Sequence, residues 1–151
     1  MKIRAVLAGA FSAWLCFLIL LVVAVAAVNS VGGPRWTLDA VIDVVAAWGT
    51  IVGIASVVAA PWVAAIVETL TSHPVLRVVG YAVVSAVLAW PVHLMMSYGS
   101  SYGLWLTCGM AAISGVVGGL GGRWASRHTP RVLLLGALAV GISVAGLAAN
   151  G

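Results

Sequence analysis

Long apolar stretches with almost no charge inside them constrain this chain more than any other feature. A helix that crosses a bilayer needs about 20 mostly apolar residues. Five stretches meet that requirement, at about residues 5–28, 40–67, 75–96, 104–121 and 132–149. The runs are unbroken, whereas the strands of a membrane barrel alternate apolar and polar positions. Backbone N–H and C=O groups in lipid must pair within their own segment, so these runs read as helices. The expected fold is an all-α integral membrane protein, a five-helix transmembrane bundle. It occupies the whole of residues 1–151 as a single transmembrane domain, because no polar stretch is long enough for a second one.

Composition makes the same point by exclusion. Of the 151 residues, 64% are hydrophobic and 7% are charged, where a soluble domain carries about 25% charged residues. A folded chain of this length still leaves roughly 30% of its unfolded surface exposed, too much to hide so apolar a sequence. An ordinary globular enzyme, a disordered tail and a nucleic-acid-binding module are thereby excluded.

The formal charge of +4 is a topology signal. Lys2 and Arg4 precede the first stretch, Arg77 lies between the second and third, and Arg123, Arg127 and Arg131 lie between the fourth and fifth. Basic residues accumulate on the cytoplasmic side of membrane helices. With five spans, a cytoplasmic N-terminus and an outside C-terminus, all six face inward and Arg35 alone faces out. Trp36, Tyr98, Tyr102 and Trp105 then form an aromatic belt at the outer interface, with Trp124 at the inner one. Trp14, Trp48, Trp62 and Trp90 lie deeper, and the sequence does not say whether they face helices or lipid. Ala24-Val25-Ala26 after the first stretch has the form of a signal-peptidase site, and cleavage there would leave four helices. The apolar run is longer than the roughly 7–15 residues of a signal peptide, which favours a retained anchor.

Membrane helices pack through small residues that let backbones approach. Such residues recur four apart in this chain: Gly49 and Gly53, Gly115 and Gly119, Gly118 and Gly122, and Ala137, Gly141, Ala145 and Ala149. The plain reading is packing inside the bundle; the last stripe carries no charge and is the best candidate for a self-association face.

The acidic residues are three. Asp39 and Asp43 share one face at the start of the second stretch, where a helix dipole favours negative charge. They are candidates for a shallow cation or proton site, with Arg35 as a possible partner. Glu68 ends the same stretch, where the dipole disfavours it, so pairing with Arg77 or a loop arginine is expected. An ionisable group inside a span is a functional candidate by default, which keeps Asp43 and Glu68 in view. His93, Met96, Cys108 and Met110 offer the ligands that suit copper(I), but without tight ligand spacing, so no metal and no cofactor are expected. Cys16 and Cys108 read as small hydrophobes. Pro61 and Pro91 can kink their helices, and helix breaks line the substrate path in many transporters.

No P-loop, GxSxG, HExxH or zinc-spaced Cys/His cluster is present, so the chain is not expected to be an enzyme. The expected partners are the lipid bilayer and other membrane subunits or a second copy, not nucleic acid. The leading functional expectation is a non-catalytic accessory or structural subunit of a larger membrane complex. The alternatives are a self-oligomerising pore of holin-like or immunity type, and a small ion-coupled transporter. The Arg-over-Lys, Ala/Val/Gly-rich composition suits a bacterial cytoplasmic membrane.

Overall fold

The computed structural model describes residues 3–30, 37–97, 103–125 and 129–148. Among these residues the chain is all-helical, with five helices: α1 (Ile3–Ser30), α2 (Leu38–Leu70), α3 (Pro74–Met96), α4 (Leu104–Ala125) and α5 (Thr129–Ala148). Each apolar stretch of the sequence has become one helix. Most of the helices run past the apolar limits, because caps and not hydropathy end them. Thr37 caps α2 by accepting the Ala40 N–H at 3.3 Å. His73 precedes α3, and Pro74 opens it at a position where a missing N–H costs nothing. Arg77 Nε donates to the Thr71 carbonyl at 3.1 Å and ties the α2–α3 link together. Ser97 closes α3 by donating its N–H and its hydroxyl to the His93 carbonyl, at 2.9 and 2.8 Å. Gly103 precedes α4 with φ +75°, a backbone region that side chains disfavour.

Four helices, α1 to α4, are long and apolar enough to cross a membrane. At 1.5 Å per residue α2 is about 50 Å long, well beyond a hydrocarbon core of about 30 Å. A helix of that length that crosses a bilayer tilts or projects from it. In α5 the described apolar part is the shorter segment Leu133–Ile142.

α4 lies between α1 and α3 and meets them on different faces. On the α1 side the backbones nearly touch. A Cβ added at Gly118 would come within 2.7 Å of the Gly9 carbonyl oxygen, and one at Gly122 within 2.7 Å of the Gly9 backbone and 2.8 Å of the Ala5 carbonyl oxygen. On the α3 side glycine makes hollows for side chains. A Cβ at Gly115 would meet Ser85 Oγ, and one at Gly119 would meet the Tyr81 ring. Gly53 of α2 gives the same space to the Trp14 ring of α1. The core is built around α1, where Trp14, Phe17, Leu18 and Leu21 are buried against α2, α4 and α5. The deep tryptophans divide evenly. Trp14 is buried and Trp48 stacks on Phe17 with centroids 6.3 Å apart, whereas Trp62 and Trp90 are exposed.

Candidate functional site

The four long helices enclose an elongated cavity of about 400 Å³. Ligand sites typically measure about 300–1,000 Å³. Most of its wall is Ala, Val and Gly, but polar side chains enter it at intervals from α2, α3 and α4.

One end is ionic. Glu68 at the end of α2 pairs with Arg123 at the end of α4. The Tyr81 hydroxyl of α3 donates to the same carboxylate oxygen at 3.5 Å. Glu68 keeps about a third of its side-chain surface exposed, so the pair sits at the cavity mouth and not in its depth. The carboxylate at a helix C-terminus, disfavoured by the dipole, is thus offset by a guanidinium from a neighbouring helix. The arginine expected between α4 and α5 is the partner, and Arg77 is engaged with the α2–α3 link instead.

The other end is neutral. Thr107 of α4 lines it, and His93 of α3 lies beside Thr107 with Nδ1 at 2.9 Å from Oγ1. His93 is only 4% exposed. Its ring lies 6.1 Å from that of Trp48. Thr107 Oγ1 is also 3.2 Å from the Gly103 carbonyl oxygen, to which it donates. The tautomer of the ring decides which partner donates in the His93–Thr107 bond. Nε2 is buried and has no hydrogen-bond partner among the described residues.

Three serines stand between the ends. At 1.5 Å per residue, Ser85 is about 12 Å from His93 along α3, Ser114 about 10 Å from Thr107 along α4, and Ser56 about 12 Å from Trp48 along α2. All three therefore share one depth, and all three line the cavity. The Ser114 hydroxyl is satisfied by the Met110 carbonyl at 2.7 Å.

The other sequence candidates fall elsewhere. Asp39 and Asp43 are exposed near the opposite end of α2 from Glu68, and neither lines the cavity. Arg35 lies outside the described residues, as do Lys2, Arg127 and Ala149. Arg4 and Arg77 sit at the Glu68–Arg123 end, as the approach of Ala5 to Gly122 and the α2–α3 link require. Arg131 stacks over Trp124 at 4.3 Å, next to Arg123. Of the copper-type ligands, Met110 is core filling against Phe17 and Leu21, Cys108 is half-buried, and the Met96 side chain lies outside the described residues. Among the described residues no group of three or more His, Cys, Asp or Glu is placed to hold a metal. Pro61 and Pro91 are exposed and off the cavity wall.

The packing glycines also divide. Gly49 and Gly53 are buried, and Gly115 and Gly119 are filled by α3. Ala137, Gly141 and Ala145 are exposed, and a Cβ at Gly141 would meet nothing within 4 Å. α5 is held instead by its other flank, where Gly136 meets Phe11 and Ala139 is buried against Trp14 and Leu18.

Sequence reasoning missed Tyr81, Ser85, Ser114, Ser56 and Thr107. A signal was there: Tyr81, Ser85 and His93 recur at multiples of four, which puts them on one face of α3. No known family, no curated protein and no solved structure matches the chain.

Proposed function

We propose that the chain is a five-span protein of a bacterial cytoplasmic membrane, N-terminus inside and C-terminus outside, that serves as a non-catalytic subunit of a larger membrane complex. The observation that carries this reading is the outward stripe of α5. Ala137, Gly141 and Ala145 use none of their capacity for close approach within the chain, and small residues are what transmembrane helices associate through. The gathering of Arg4, Arg77, Arg123 and Arg131 at one end supports the orientation by the positive-inside rule. Native mass spectrometry after mild detergent extraction tests the reading. A defined complex with other membrane chains is expected, and Gly141→Leu should release this subunit from it. A wild-type monomer would count against it, and a ladder of homo-oligomers would favour a self-assembling pore. A reporter fused after Gly151 tests the orientation and should read outside.

A second reading is favoured by a separate observation. The cavity and the Glu68–Arg123 pair at its mouth are the elements of a small ion-coupled carrier, with Glu68 as the coupling carboxylate. Ion-driven uptake into vesicles that is lost on Glu68→Gln is its test. Asp43, exposed and away from the cavity, has no part in it.

A further inference from the structure

We infer that the coupling ion is the proton, and that protons cross the bundle from His93, by way of Thr107, into the cavity that Thr107 and Glu68 both line. This rests on the carrier reading.

The first ground is placement. Polar side chains within a bilayer are costly, and where they gather they mark ion or proton routes. Here they gather along one axis: His93 with Thr107, then Ser56, Ser85 and Ser114 at mid-depth, then Tyr81, Glu68 and Arg123. They come from three helices, so no single amphipathic face accounts for them.

The second ground is the state of His93. Its ring is buried, its Nδ1 is bonded to the Thr107 hydroxyl, and its Nε2 is unpartnered among the described residues. An imidazole with one nitrogen bonded to a hydroxyl and the other open can take up a proton on one nitrogen and release one from the other. The charged groups near the route, Glu68, Arg123, Arg77 and Arg4, all sit at its far end. Among the described residues lining the cavity, only Glu68 and Arg123 are charged.

The third ground is room. At roughly 30 Å³ per water, 400 Å³ holds about a dozen molecules. The serine tier supplies hydroxyls to anchor them between two ends that are too far apart for direct transfer.

The transfer balances. With the ring hydrogen on Nδ1, a proton adds to Nε2 and gives an imidazolium. The Nδ1–H bond then breaks and its proton passes to Thr107 Oγ1, whose own O–H bond breaks and releases a proton to water in the cavity. The ring is left with its hydrogen on Nε2, and tautomerisation, the Nε2–H bond breaking as an Nδ1–H bond re-forms, resets it for the next proton. The water chain delivers a proton to the Glu68 carboxylate. Protonation removes the negative charge that holds Arg123, so the pair loosens and the proton leaves to the inner solvent. The ionised carboxylate then re-forms the pair.

The test uses the full chain in phosphatidylcholine/phosphatidylglycerol vesicles, with a potassium diffusion potential set by valinomycin and a pH dye inside. Proton influx above that of protein-free vesicles is expected. It should fall at least tenfold in Glu68→Gln and in Thr107→Val, and stay unchanged in Val87→Ala, a lipid-facing control. Circular dichroism and a single size-exclusion peak establish that each variant is folded. If Thr107→Val fails that check, the Ser85→Ala/Ser114→Ala double variant replaces it with the same expected loss. Wild-type influx no faster than empty vesicles overturns the inference, as does full influx in the variants. A parallel measurement with a sodium indicator separates the two failures. Sodium movement without proton movement overturns the proton route and leaves the carrier reading standing, while movement of neither removes both.

Discussion

α4 and α5 carry the same sequence pattern and meet opposite fates. Both have small residues four apart along a helix whose one charged residue, Arg123 or Arg131, lies near an end. On α4 those residues are consumed: Gly118 and Gly122 admit the backbone of α1, while Gly115 and Gly119 admit Ser85 and Tyr81. On α5 the stripe of Ala137, Gly141 and Ala145 faces outward, and the helix is held by a different flank. The comparison teaches that a small-residue repeat records a capacity for close approach. Whether the capacity is used inside the chain depends on what stands opposite, either another small residue such as Gly9 or a side chain shaped for the hollow such as Tyr81.

The sharpest way to break this comparison is Gly122→Leu. Its Cβ alone would stand 2.7 Å from the Gly9 backbone, and backbone cannot turn aside. Overpacking at a site that cannot yield should cost about 3 kcal/mol or more, read as loss of the folded fraction in SDS titration from mild detergent. A smaller effect is expected for Gly119→Ala. Here the neighbour is the Tyr81 ring, which can shift, so the expected cost is about 1–3 kcal/mol. A double-mutant cycle with Tyr81→Ala should recover part of it, and strict additivity would mean that ring and hollow do not fit each other. Next comes Glu68→Gln, which removes a half-exposed ion pair. Its expected cost is about 1 kcal/mol at most, shrinking further as salt is raised. The smallest effect is predicted for Gly141→Leu. The isolated chain should lose less than about 0.5 kcal/mol, since the position is exposed, while assembly with partner chains is lost. A large loss of intrinsic stability would show that α5 uses its stripe within the chain after all.

Much of the architecture was legible because it follows from the bilayer. Uninterrupted apolar length predicts a helix, and each of the five expected stretches is one. The ends were less legible, since Thr37, Pro74 and Ser97 set them by local hydrogen bonding and backbone geometry that hydropathy does not register. Helix contacts were half legible: the α4 glycines were visible as a pattern, but their partner stripe on α1, Ala5, Gly9 and Ala13, contains a single glycine and was overlooked. For the site, the sequence offered three carboxylates, and finding which of them meets the cavity required three dimensions. Glu68 and Arg123 are 55 residues apart, and the parallel run of α2 and α4, which sets their C-terminal ends side by side, brings them together. The hydroxyls were missed because serine and threonine are cheap in a membrane helix when bonded to their own backbone, so each alone carries no information. Their shared depth carries it.

The α3–α4 pairing has one more consequence. Tyr81 with Gly119, Ser85 with Gly115, and His93 with Thr107 advance by multiples of four on both helices in opposite directions. A slip of four residues, about 6 Å, that seated Tyr81 opposite Gly115 would bring Ser85 opposite Ala111, which carries a Cβ where Gly115 has none, and would part His93 from Thr107. The two hollows and the imidazole–hydroxyl bond therefore act together as a key in a lock of one setting, and the hairpin has a single register that satisfies all three.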